Sequence, residues 1–130
     1  MLRVVSKYNV GRFTLAVFFA FAGSMHFIVP TSYLRIMPPV LPWPRALVAI
    51  SGAAEILGGL GLLTFAWRRP AAWGLVLLLL AVFPANIYMA VADIRFSGWL
   101  SQSWLLWVRL PLQFVLIAVV LQYARPMARQ

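Results

Sequence analysis

The stretch Ala71–Ala92, AAWGLVLLLLAVFPANIYMAVA, decides the fold: twenty-two residues with no charged side chain among them. At about 1.5 Å of rise per residue, a helix of that length crosses the ~30 Å hydrocarbon core of a bilayer. Three more apolar stretches accompany it: Phe13–Val29, which is the shortest, Ala46–Ala66, and Trp104–Ala124, which carries Arg109 and Gln113 inside it. The expected architecture is all-α. It is a single four-span membrane domain over residues 1–130, with helices at about 13–29, 46–66, 71–92 and 104–124 and a Pro-rich loop between the first two. There is no internal repeat and no low-complexity linker.

Composition agrees. The 130-residue chain is 64% hydrophobic and only 10% charged, where a soluble domain of this size carries about a quarter charged residues. It cannot cover itself with polar groups, so its surface must face lipid. Eleven Lys and Arg stand against two acids, for a net charge of +9. In a soluble protein that balance would suggest nucleic acid. Here the cations lie between apolar runs and form no polar face, so they read as topology signals and headgroup contacts, with no nucleic-acid partner. The chain has no cysteine, which removes thiol chemistry, and its one histidine cannot make a multi-histidine metal site within one copy.

The breaks between spans have local causes. Pro30, Pro38, Pro39, Pro42 and Pro44 make residues 30–44 the least helical part of the chain, since proline lacks an amide donor and disfavours helix in the residue before it. Trp67–Pro70 reads as a short turn, and Asp93–Ser103 as a polar one with Gly98, where Asp93 would cap or pair with Arg95.

Seven basic residues (Arg3, Lys7, Arg12, Arg68, Arg69, Arg125 and Arg129) fall on one side of such a bundle, against Arg35, Arg45 and Arg95 on the other. The positive-inside rule puts the seven, and both chain ends, in the cytoplasm. All six tryptophans fall near span ends, where indole favours the headgroup level. The basic start followed by Ala20-Phe21-Ala22-Gly23 also has the form of a cleaved signal peptide. We read it as an uncleaved first span.

Strongly polar groups inside a bilayer are costly and point to function by default. The spans carry His26, Glu55, Asn86, Arg109 and Gln113. Counted at about 1.5 Å per residue, all five lie in the half of the bundle away from the chain ends. Ser51, Glu55 and Gly59 share one helical face, as do Arg109 and Gln113, while Gly52, Gly58 and Gly61 would let neighbouring helices approach. Pro84 and Pro111 leave the carbonyls of Leu80 and Trp107 without an amide donor, so α-helical kinks are expected there. Three readings stay open. Glu55 and Arg109 could neutralise one another as internal glue. The five groups could line a pocket for a quinone or similar apolar ligand. They could also pass protons or ions.

The motifs Ala22-Gly23-Ser24-Met25-His26-Phe27 with Pro30, Met37-Pro38-Pro39-Val40-Leu41-Pro42, Ser51-Gly52 with Glu55, Gly58-Gly59 and Leu62, Phe83-Pro84-Ala85-Asn86-Ile87-Tyr88-Met89, and Arg109-Leu110-Pro111-Leu112-Gln113 follow in order from Gly11 to Arg125. In that order and spacing the chain resembles the DoxX family of small bacterial membrane proteins. The resemblance implies a four-helix membrane protein. It also implies redox association, since some DoxX proteins are associated with quinone-linked sulfur oxidation and others with oxidative stress or quinone resistance. Related families that assist disulfide or amine-dehydrogenase maturation use cysteines that this chain lacks.

The expected function is therefore a redox-associated membrane protein that binds a quinone-type ligand and is not an enzyme on its own. Any electrons would come from a redox partner protein, because no cofactor motif is present. An assembly or scaffold subunit and a proton or small-solute transporter are the alternatives, the last requiring oligomerisation.

Overall fold

In the computed structural model, which describes residues 2–94 and 102–126, five helices follow one another: α1 (Leu2–Ile28), α2 (Pro30–Arg35), α3 (Pro44–Leu63), α4 (Arg68–Val91) and α5 (Ser103–Ala124). Four are long and apolar enough to cross a membrane, with Lys7–Ile28 as the spanning part of α1. The chain is a multi-pass, all-α four-helix bundle.

The helix limits differ from the expected ones for local reasons. The first span is not the shortest element, because its helix continues back through the polar residues that precede Phe13. Backbone hydrogen bonding does not require apolar side chains. The second span ends at Leu63 rather than Ala66. The Thr64 hydroxyl donates to the Gly61 carbonyl (3.0 Å) and accepts from the Trp67 amide (3.2 Å), closing the helix there. The third span begins earlier, at Arg68, since Pro70 falls in the first turn, where no amide donor is needed. Both α4 and α5 run on through Pro84 and Pro111.

The Pro-rich segment is not uniformly irregular. Pro30 occupies the first position of α2, where its fixed φ favours a helix start. Arg95, Gly98 and Trp99 lie outside the described residues. The other five tryptophans (Trp43, Trp67, Trp73, Trp104 and Trp107) are all exposed, as a belt at the lipid headgroups requires and core packing does not.

Helix α1 packs along α3, α3 along α4, and α4 along α5. The α1–α3 seam is the tightest. A Cβ on Gly23 would stand 2.5 Å from the Gly52 carbonyl oxygen, and one on Gly52 would stand 2.7 Å from the His26 Cβ. Backbones this close exclude any side chain at these positions, which is how small residues bring membrane helices together.

Two apolar clusters fill the bundle. One, toward the chain ends, gathers Leu15, Phe19, Leu62, Leu75, Leu79, Val120 and Tyr123. The other, toward α2, joins Ile36 to Met89, Ala90 and Leu106. At the chain-end side Arg68 is not a free loop cation. It is 4% exposed, its Nε donates to the Tyr123 carbonyl (3.3 Å), and its guanidinium lies over the Tyr8 ring. Arg69 Nε donates to the Ala124 carbonyl (3.2 Å). Two arginines at the start of α4 thus cap the last carbonyls of α5, where positive charge also meets the negative end of the helix dipole.

Gly23→Leu should push α1 and α3 apart and cost roughly 1–3 kcal/mol or more, read as a lower midpoint in SDS titration of the purified protein. Gly74, beside which a Cβ meets nothing within 4 Å, supplies the control: Gly74→Leu should leave the midpoint unchanged.

Candidate functional site

Between the two apolar clusters lies a cavity of about 280 Å³. His26, Glu55, Asn86, Arg109 and Gln113 all line it, together with Tyr33 and Ser51. Its floor is Phe19 and Leu79 of the chain-end cluster and its roof includes Ile36. Five residues from four spans that sequence reading singled out for their cost in a bilayer therefore face one space. The remaining walls are apolar, among them Phe18, Val48, Val82 and Leu116.

The seam glycines set up the first half of the site. With no side chain on Gly52, α1 comes close enough for His26 Nδ1 to reach the Val48 carbonyl at 3.0 Å. A carbonyl only accepts, so Nδ1 carries the hydrogen and Nε2 is left to face the cavity. Opposite it, 3.5 Å away, is Glu55 Oε2. The distance is too long for a hydrogen bond but short enough for an ion pair, and Glu55 Oε2 is buried without a hydrogen-bond partner. With Nδ1–H committed to Val48, this pair attracts only when it holds one proton between Nε2 and Oε2. With none, two acceptors face each other.

Thus the carboxylate's ion-pairing neighbour in this fold is His26, rather than the Arg109 considered from sequence. Arg109 lies on the opposite wall, on a face of α5 shared with Leu112 and Leu116, and is exposed. Glu55 and Arg109 meet electrostatically at a third group. The Tyr33 phenol is pushed above its ordinary value, chiefly by burial and further by the Glu55 carboxylate, while the Arg109 guanidinium opposes the rise.

The second half of the site is a link between α4 and α5. Asn86 Nδ2 donates to Gln113 Oε1, and Gln113 Nε2 donates to the Leu79 carbonyl. The acceptor is Leu79, one residue before the Leu80 carbonyl that Pro84 deprives of its amide. Asn86 and Gln113 thus satisfy each other across the interface, whereas the His26–Glu55 side keeps an unused acceptor.

Tyr33 escaped the sequence reading. It stacks on His26 with ring centroids 3.9 Å apart and planes 29° from parallel. Its signal was the Pro30 that starts α2: once Pro30 is taken as a helix start, α2 turns the chain back over the end of α1. Of the sequence-predicted groups, Gly59 alone leaves the Ser51–Glu55 stripe. It faces Ala16 and Phe19 of α1 rather than the cavity.

The chain belongs to the family described as Domain of unknown function (DUF8561), which matches residues 15–124. That stretch contains every residue lining the cavity. No curated protein and no solved structure matches the chain.

Gln113→Leu should cut the α4–α5 link and strand the Asn86 amide, at a cost of about 1 kcal/mol within a membrane, visible as a lower SDS-titration midpoint. Tyr33 gives a pH dependence. Its folded value lies above the unfolded value of about 10, so the stability it contributes is complete below pH ~10 and fades as pH rises through the folded value. Alkaline unfolding followed by circular dichroism should therefore begin at lower pH in the wild type than in Tyr33→Phe, relative to each protein's stability at neutral pH.

Proposed function

Taking the chain as a member of this family, we propose that it binds a quinone-type molecule, an apolar ring with polar oxygens, in the cavity between the two apolar clusters. It would do so in the bacterial inner membrane with both chain ends cytoplasmic, and would present the ligand to a redox partner protein. The observation that carries this reading is the composition of one space: apolar walls, with polar groups from four spans converging on it. A ligand pocket is built in this way, mostly apolar with a few placed polar groups.

The geometry supports a role for each group. Glu55 Oε2, buried and lacking a hydrogen-bond partner, accepts from a hydroxyl or shares the pair's proton with a ligand oxygen. His26 is oriented for this by Val48. Arg109, at the exposed wall, donates to a ligand carbonyl. Asn86 and Gln113 hold α4 against α5 and shape the wall between. The chain supplies the binding site and proton-handling groups, and the electrons come from the partner. The DoxX resemblance supports the redox association, and the basic residues toward the chain ends support the orientation.

One observation favours a second reading, that of a scaffold subunit. The Asn86–Gln113–Leu79 link is self-contained glue of the kind that fixes helix register.

Glu55→Gln separates the two. In detergent, a decyl-substituted benzoquinone at about a hundred times its dissociation constant should stabilise the wild type by roughly 2.7 kcal/mol. The variant should fold with similar yield and lose that stabilisation. If the wild type shows no stabilisation and no quinone in its native lipid extract, the scaffold reading stands instead.

A further inference from the structure

The cavity has a roof and a floor, but one of its sides is open. At the α2 end, Ile36 is buried among Met89, Ala90 and Leu106, and Tyr33 lies flat on His26. This covers the axial approach from that side among the described residues. At the other end the chain-end cluster closes the bundle completely, with Phe19 and Val120 each no more than 1% exposed. Three of the four sides are sealed by packed helix pairs, α1–α3, α3–α4 and α4–α5.

The fourth side is different. Helices α1 and α5 meet toward the chain ends, where the Tyr8 and Tyr123 rings stand 4.9 Å apart and the Tyr123 hydroxyl donates to the Tyr8 carbonyl at 3.4 Å. They have no comparable run of close backbone approach along their length. Level with the cavity, Phe18 of α1 and Leu112 of α5 both line the interior and are also 49% and 56% exposed. A residue can do both only at a mouth. Arg109, one turn from Leu112 on α5, is exposed at the same wall.

Depth tells what lies outside the mouth. Phe18 is ten residues from the α2 end of α1, and Leu112 is nine from the start of α5. At about 1.5 Å per residue both lie ~14–15 Å inside the bundle, level with each other and near the middle of a ~30 Å core. The medium there is acyl chain, not water. Size adds a constraint: about 280 Å³ is at the small end for a ligand pocket and accommodates a head group without its tail.

Resting on the reading of the cavity as a ligand site, we infer that the gap between Phe18 and Leu112 is a lateral portal to the bilayer, and that the ligand is a tailed amphiphile. Its oxygenated head sits among His26, Tyr33, Glu55 and Arg109, and its tail leaves between α1 and α5 into lipid. The ligand partitions into the membrane first and turns its head in from the side.

The test uses one benzoquinone ring carrying no tail, a decyl tail or a long polyisoprenoid tail, titrated against the full chain in lipid nanodiscs. A tail that lies in lipid before and after binding contributes no net transfer term. Dissociation constants expressed per mole fraction in lipid should then agree within about threefold for the two tails. Because the chain has no cysteine, Phe18→Cys with Leu112→Cys can be bridged cleanly by a short bis-maleimide in detergent at alkaline pH, where the reactive thiolates form, before transfer to nanodiscs. Bridging should abolish binding of the polyisoprenoid form, and the unbridged double variant should retain it.

Binding of the same ring without a tail, with rejection of one or both tailed forms, would mean a cavity closed to the bilayer, overturning the portal while leaving the ligand site intact. Failure of the tailless ring and of both tailed forms to bind would overturn the ligand site and the portal with it. The tail series needs no variant, so it decides the matter even if the cysteine pair does not fold. Unchanged polyisoprenoid binding after bridging also overturns the portal.

Discussion

The His26–Glu55 contact depends on two absent side chains. Gly23 and Gly52 let the backbones of α1 and α3 approach so closely that His26 reaches both a carbonyl of the neighbouring helix and a carboxyl group deep in the bundle. A carboxylate at that depth costs several kcal/mol unless it is paired or protonated. The glycine seam is what makes the pairing geometrically possible. Everything else in the site is arranged around it: Tyr33 covers His26, Ser51 lies one turn before Glu55, and the cavity opens in front of the pair.

The bundle separates two kinds of polar burial. Asn86 donates to Gln113 and Gln113 donates to the Leu79 carbonyl, so the two act as an interhelical fastening. Arg68 and Arg69 do the same at the chain-end side, capping the last carbonyls of α5. Glu55 is left with a buried oxygen that no hydrogen bond occupies. Fastenings are complete in themselves, whereas a binding group keeps capacity for something else. That difference supports the proposed reading, in which His26 and Glu55 meet the ligand and Asn86 and Gln113 form the wall beside them.

Much of this was legible in the sequence. The four spans follow from length and hydropathy, because a bilayer imposes both. The five site residues were found by their cost alone: strongly polar side chains in such spans turn away from lipid, and here all five border one space, Arg109 at its open wall. The short helix α2 was hidden by the prolines around it, since Pro30 as a helix start looks like one more helix breaker until the following residues are seen to turn. Tyr33 went unread for the same reason.

By itself the sequence determined the number of crossings, the depth of the polar groups and their convergence, all consequences of an apolar solvent that tolerates only satisfied helices. Only the tertiary structure decided which groups pair. Depth alone allows Glu55 to meet either His26 or Arg109. The choice falls to the distance between helix axes, and that is set by glycines whose partners lie across the seam rather than nearby in the chain. The open side between α1 and α5 is likewise a property of packing: each helix carries apolar residues all round, and nothing in either pattern says which face its neighbour will leave uncovered.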